Sequence, residues 1–302
     1  MIALLLILPD SELEVVKQGS NELSKTESWD QLAVNANNEF TFNIFNTLAK
    51  DGNDVLSPIS ILSALSILMN GANGETLKDL KQFLRYKNSL TEFSDETINT
   101  AFKALNNKYH NDVIHNKDLK LLDTFIDTIK VYYKGDIQSA DFVNNGVIET
   151  ERVNEWIRNK TNNKIQKIFD EIKPDTSLII LNAIYFKGNW SKKFRKQWTQ
   201  ELDFYNNGNN AIKMDTMFVE YYFNYYESIE LNSQILELQY DGREIMDESG
   251  TEAATVTAIT ATRLSAIEYP NPITFRADHP FMYFIMDKTN GLILFCGQIN
   301  NF

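Results

Sequence analysis

LIILNAIYF, residues 178–186, sets Leu178, Ile179, Ile180, Leu181, Ala183, Ile184, Tyr185 and Phe186 in one run broken only by Asn182, with no charge, glycine or proline. So continuous a run is too apolar for a half-wet sheet edge and predicts a central strand covered on both faces. Toward the carboxyl end, shorter strands are expected at residues 201–205, 235–239, 281–286 and 292–296. The last two flank a hairpin turn over 287–291, signalled by Asn290 and Gly291. Toward the amino end the period becomes helical. Phe40, Phe42, Ile44, Phe45 and Leu48 share a face over residues 35–49. Ser57 and Pro58 have the chemistry of a helix start, and the helix they open is expected to bury Ile61, Leu62, Leu65, Leu68 and Met69 until Gly71 stops it. Further helices are expected at residues 76–84, 97–105 and 147–160, the last with Val153, Trp156 and Ile157 inward. At the amino terminus the apolar residues 2–8, ended by Pro9 and Asp10, read as a short buried strand, and Ser11 with Glu14 has the spacing of a capping box opening a helix. Helices early and strands late predict an α+β fold in a single domain, residues 1–302.

The 302 residues are 43% hydrophobic and 12% aromatic, enough for a large core. A formal net charge of -12 excludes phosphate-backbone binding as the main activity, so no nucleic-acid partner is expected. The densest basic run, Lys192, Lys193, Arg195 and Lys196, reads as a solvated face, with a heparin-like polyanion site as the alternative. Cys296 is the single cysteine, so no intrachain disulfide forms. Asn-x-Ser/Thr triplets begin at Asn159 and Asn189 and matter only in the secretory path. The opening apolar run lacks a basic leader and a small-residue cleavage site, and no stretch is long enough to span a bilayer, so no membrane partner is expected.

Catalytic constellations are missing from the sequence. The three histidines, His110, His115 and His279, have no zinc-ligand spacing, and no metal or cofactor is expected. A Cys296 nucleophile with His279 as base is outweighed by the apolar run 292–295, which makes Cys296 a small core residue. Neither a phosphate loop nor a nucleophile elbow occurs, and the chain does not read as an enzyme.

The unusual segment is GTEAATVTA, residues 250–258, continuing through Ile259, Thr260, Ala261, Thr262, Arg263, Leu264 and Ser265. Small and β-branched residues dominate it, which suits an exposed, extended loop. Taken as a strand, Thr251, Ala253, Thr255, Thr257 and Ile259 share one uncharged face, so the segment can live in water or enter a sheet. With Glu248 before it, the segment resembles the hinge of the serpins, and three further blocks agree in order. Ser57, Pro58, Ile59, Ser60 and Ala64, with residues 71–76, look like that family's helix B and its following turn. Residues 182–190 with Phe194 look like strand 3 of its main sheet, and residues 279–281 and 291–297 look like its closing hairpin.

The resemblance implies a serpin-like α+β fold, helices packed on sheets with an exposed reactive loop, and inhibition of serine endopeptidases by loop cleavage and insertion. It implies a hinge at Glu248, Gly250, Thr251, Glu252, Ala253 and Ala254, shutter residues Ser57, Ser60 and Asn182, and Trp190 at the breach. Counting along the hinge puts the cleaved bond between Leu264 and Ser265, for a chymotrypsin-like target; a shift of one residue makes Arg263 the anchor and the target trypsin-like. An extracellular setting is the family expectation, with a cytoplasmic one left open. The block order departs from the family. Residues 1–33 resemble a segment that should follow residues 240–244, residues 34–244 form an amino-terminal core, and residues 245–302 supply hinge, loop and hairpin. After Glu244 the chain passes directly to Met246, Asp247 and Glu248, so strand 6 and most of strand 5 of the main sheet have no counterpart and that sheet is expected to be incomplete. Losing four or five buried side chains forfeits on the order of 6 to 15 kcal/mol. An error of exon order, a permutant completed as a swapped oligomer, and a rearranged chain cleaved as plain substrate all stay open, as does a non-inhibitory binding or structural role.

Overall fold

The computed structural model describes residues 2–7, 29–48, 52–84, 94–105, 110–229, 232–241, 259–262 and 273–302. These fall into two compact units, one of residues 23–40 and 58–186, the other of residues 1–22, 41–57 and 187–302.

The first unit is helix-rich. It holds most of α1 (Trp29–Leu48), then α2 (Pro58–Gly71), α3 (Gly74–Phe83), α4 (Asp95–Leu105), α5 (Asp123–Thr128) and α6 (Gly146–Lys160). Its three-stranded sheet combines β3 (His110–Asn116), β4 (Asp136–Ala140) and β5 (Leu178–Ala183) in the order β4-β3-β5, with β3 parallel to β4 and antiparallel to β5. Pro58 opens α2 as expected. The expected serine cap is not made, because the buried Ser57 hydroxyl has no hydrogen-bond partner among the described residues. Asn73 does cap α3, accepting from the Gly74 amide at 2.7 Å, and Ser94 accepts from the Thr97 amide at 3.2 Å ahead of α4. The inner face of α2 also differs from expectation. It buries Ile59, Leu62, Ser63, Ser66, Ile67 and Met69, whereas Leu68 is 41% exposed. α2 is apolar nearly all round, so its facing is decided by polar residues that need partners rather than by a hydrophobic stripe.

The second unit holds two sheets. One has six strands: β2 (Asp54–Leu56), β13 (Leu292–Ile299), β12 (Phe281–Asp287), β1 (Ile2–Ile7), β9 (Ser233–Gln239) and β8 (Asn224–Ser228), in that spatial order. The other, of four strands, runs β11 (Thr274–Arg276), β10 (Ile259–Thr262), β7 (Asn210–Glu220), β6 (Gln200–Asn206). A core of Phe204, Leu236, Leu238, Phe275, Ala277, Phe281 and Ile299 supports both. Gly297 is needed in β13, since a Cβ there would lie 2.5 Å from the Asp54 carbonyl oxygen and from the Tyr283 ring. β1, first in the chain, is a central strand, antiparallel to β9 and β12, with Leu5 opposite both Leu236 and Tyr283.

Two observations depart from the sequence reading. β3 and β4 interrupt a half expected to be helical, β3 because Asn111 and Asp112 break its alternation, and β7 and β8 were also unforeseen. β5 was expected in the middle of a sheet, yet among the described residues it ends one. The helix expected to start at Ser11 lies outside the described residues.

Asp141, which leads from β4 toward α6, accepts from the Lys117 ammonium at 2.6 Å and from the Asn144 amide at 3.0 Å. The Lys117 hydrogen bond and those from Asn144 pull its carboxyl down from 3.8 to about 2. A folded value below the unfolded one means that its contribution is complete above pH 3.8 and is lost as pH falls through about 2. Thermal midpoints measured between pH 5 and pH 2 should therefore fall less steeply for Asp141→Asn than for the parent chain. Leu5→Pro removes an amide donor from a central strand and should lower unfolding stability by about 1–3 kcal/mol, read from urea titration.

Candidate functional site

The site is β5 and what lies on its two faces. Successive side chains of a strand alternate, and β5 buries Ile179, Leu181 and Ala183 on one side. That face meets Ile114, Ala140, Phe142, Val153 and Ile172 in one apolar cluster, with Trp156 of α6 packed against it. The Trp156 indole donates to Asp112, directly opposite Leu181 in the ladder. Asn182 belongs to the opposite face, where α2 packs. Both faces are thus covered, which is why the sequence is so continuously apolar.

The α2 side is wired by polar groups. Ser60 donates to Asn182, and the Asn182 amide donates at 2.6 Å to the side-chain oxygen of Asn111, its ladder partner in β3. Ser63 donates to that same oxygen at 3.0 Å, and the Asn111 amide donates at 3.0 Å to the carbonyl of Tyr133. Asn111 is 1% exposed, and its bonds with Ser63 and the Tyr133 carbonyl lie away from water. Alongside, Asn70 and Asn99 exchange bonds at 2.8 and 3.0 Å, and the Tyr133 hydroxyl donates to Asn99 at 2.9 Å. Burial pushes the Tyr133 hydroxyl up from the ordinary tyrosine value, which favours the neutral donor. Of the implied Ser57, Ser60 and Asn182, the network takes in Ser60 and Asn182 but not Ser57, whose hydroxyl has no hydrogen-bond partner among the described residues, and it adds Ser63 and Asn111, which the resemblance did not name. An asparagine two residues ahead of the apolar pair Val113 and Ile114 was the available signal.

Beyond β5, in the second unit, Trp190 pairs with Tyr240 in an isolated bridge, and their rings stack with centroids 4.2 Å apart. Phe194 meets Trp190 edge-on at 5.9 Å, and the backbone is closed by Ser191 to Gln239 at 2.9 Å and Asp241 to Asn189 at 2.7 Å. In the basic run, Lys192 lies over the Tyr221 ring at 3.9 Å and Arg195 over Trp198 at 4.6 Å. Cys296 is a core residue, its thiol pushed up to about 12 by burial among Phe45, Phe284 and Ile293, while His279 stacks on Tyr205 and meets Asp278. Among the described residues no cluster of three or more His, Cys, Asp or Glu is arranged to hold a metal ion, and no helix is long and apolar enough to cross a membrane.

The implied hinge, Glu248, Gly250, Thr251, Glu252, Ala253 and Ala254, and the implied reactive residues Arg263, Leu264 and Ser265 lie outside the described residues. Ile259–Thr262, which the sequence leaves in the exposed loop, instead forms β10 of the four-stranded sheet.

A family model described as serpin (serine protease inhibitor) matches residues 35–247 and 245–302. The chain belongs to the serpin family. The two pieces of the match overlap at residues 245–247. A serpin-like protein of Thermococcus kodakarensis is 26% identical, the match covering 97% of this chain and 89% of that one. Human Serpin B3 is 30% identical across 70% of this serpin, and a serpin-like protein of Methanosarcina acetivorans is 34% identical across 68%. The chain spans only 60% and 50% of those two relatives. Among solved structures, human glycosylated kallistatin superposes with a TM-score of 0.72 at 18% identity, covering 91% of this chain and 99% of that one. Mouse protein-Z dependent protease inhibitor gives 0.71 at 21% identity, covering 90% of this chain and 98% of that one, so the serpin α+β fold is shared. Serpins are mainly inhibitors of serine proteases rather than catalysts.

Asn111→Ala should strand Ser63, Asn182 and the Tyr133 carbonyl together, costing about 3 kcal/mol or more since each buried orphan is worth about 1–3. A double-mutant cycle with Ser63→Ala, read by urea unfolding, should return a coupling of about 0.5–3 kcal/mol; strict additivity would contradict the network.

Proposed function

We propose that this serpin inhibits serine endopeptidases by the cleavage and insertion of its reactive loop. The observation that carries the reading is the edge of β5: among the described residues no strand occupies it, while both faces of the strand are already covered. A strand added there gains ladder hydrogen bonds without having to build new layers, which is the favourable step that drives insertion. Residues 250–258 suit that place by size and by an uncharged face. Ser60 and Asn182, with Asn111 and Ser63, act as the shutter that holds α2 to the sheet beneath the insertion edge, and Trp190 with Tyr240 marks the breach. Leu264 is the specificity residue for a chymotrypsin-like target, with Arg263 the anchor for a trypsin-like one. The setting is extracellular by family habit.

A second reading has its own support. Three strands, where the family resemblance implies more, give an inserted segment one neighbour instead of two, and a segment that inserts weakly leaves the chain a plain substrate.

Incubation with chymotrypsin and with trypsin separates these. Inhibition yields a complex that survives boiling in detergent, about 40 residues of this chain being released from its carboxyl end; a substrate yields the nicked chain alone. Thr251→Arg should abolish the complex and leave nicking intact, because burying an unpaired charge costs several kcal/mol.

A further inference from the structure

We propose that β8 is a self-association edge, through which two copies of this chain pair antiparallel about Tyr226 into a closed two-fold dimer. β8 ends the six-stranded sheet. It is antiparallel to β9, with Tyr226 opposite Ile235, and among the described residues no strand pairs with its other edge. Such an edge offers backbone donors and acceptors to any extended chain, and proteins blunt it with very short strands, charges, prolines or bulges. The other end of the same sheet, β2, is three residues long and carries Asp54. On the four-stranded sheet, β6 bears Glu201 and Asp203, and its Tyr205 amide donates to the Asp278 carbonyl at 2.8 Å. β8 is less protected. Residues 222–229, YFNYYESI, contain no lysine, arginine, glycine or proline, Glu227 is their one charge, and the register of β8 on β9 is unbroken.

The strand's own pattern says what fits the edge. Tyr225 turns toward the core of the second unit and meets Phe275 edge-on with ring centroids 6.4 Å apart, while Tyr226, on the opposite face, is 71% exposed. Beyond the two ends of β8, Tyr222 is 50% exposed and Ile229 96%. Two-fold pairing centred on Tyr226 sets that ring against the partner's Tyr226 and sets Tyr225 against the partner's Glu227. With the register continued past the strand, Ile229 comes opposite the partner's Phe223 and next to the partner's Tyr222. The exposed apolar side chain at one end of the strand thus meets aromatic rings at the other, on both sides of the axis. Cross-strand aromatic and apolar pairs of this kind are what stabilise a ladder. Within one chain the Tyr225 hydroxyl already donates to Glu227, and across the axis the same two groups face each other again. Other centres do worse: pairing about Glu227 opposes two like charges, and pairing about Tyr225 sets Glu227 against the partner's Phe223. A second copy of this chain therefore suits the edge in one register.

Sedimentation of the full chain over about a hundred-fold range of concentration should show the average mass rising from one copy toward two and stopping there, because the pairing consumes the edge it uses. Tyr226→Lys sets two like charges against each other on the axis and should weaken the dimer about ten-fold or more, while the exposed position leaves the fold and its circular dichroism unchanged. Tyr226→Cys should give a disulfide-linked dimer on mild oxidation, whereas Asn224→Cys, which the register carries away from its own symmetry copy, should not. The buried Cys296 is common to all the proteins, and the parent chain serves as the blank. A parent that stays monomeric across the range, growth past two copies, a Tyr226→Lys chain that dimerises like the parent, or cross-linking of Asn224→Cys as fast as of Tyr226→Cys would each overturn the proposal. The cysteine comparison decides the matter if Tyr226→Lys does not fold.

Discussion

The side chain of Asn111 is the constraint on which the rest of the candidate site depends. Buried at 1% exposure, it must satisfy one oxygen and one amide group away from water, and it does so with Ser63, Asn182 and the Tyr133 carbonyl. These partners belong to α2, β5 and the π-helical turn Ile129–Tyr133, so a single residue of β3 fixes three elements at once. An apolar residue of similar size could fill the space, but it could not choose between rotations of α2, whose surface is apolar almost throughout. The polar bonds therefore select the facing of the helix, and the apolar contacts supply most of the energy. The same wiring bears on function: if the sheet admits a strand beside β5, the Ser60 to Asn182 bond lies on the layer that the newcomer must leave intact or shift.

Segment order imposes a second constraint. β1 belongs between β9 and β12, yet those strands come more than 220 residues later in the chain. Closing so long a loop costs entropy that grows only logarithmically with length, so the position of β1 in the sequence is a modest burden once the strand is seated. Its absence would be a large one, because it would open two ladders in the middle of a six-stranded sheet. A strand at the beginning of the chain can thus be structurally central, and tolerance to rearrangement follows from where a strand pairs rather than from where it is encoded.

Much of this was legible in residues and the remainder was not, for identifiable reasons. The run 178–186 announced a strand with both faces covered, and the cluster around Ile179 and Leu181 with α2 opposite agrees; its position at the end of its sheet was not legible, because burial on two faces says nothing about pairing on two edges. The hairpin of β12 and β13 was read from Asn290 and Gly291, whose left-handed φ of 77° is what a tight turn asks of a glycine. β3 escaped because Asn111 and Asp112 break its alternation, and those polar residues are there to serve α2 and Trp156. Ser57 looked like a cap by type alone, and type does not fix the rotamer. Resemblance supplied Ser57, Ser60 and Asn182, of which only the last two join the network, and passed over Ser63 and Asn111, since a family pattern transfers positions and not the bonds between them.

Two sheets with one unclaimed segment leave the chain with a choice of places for it. The four-stranded sheet offers Ile259–Thr262 two partners, while the edge of β5 offers one among the described residues. On backbone pairing alone, the first is the better home for a short piece, and the second wins only if many more residues enter it. Under the proposed mechanism, cleavage after Arg263 or Leu264 would change that balance, because it would free one end of the segment. On the proposed reading, insertion after cleavage would need no external energy source, since a longer inserted strand would supply the gain.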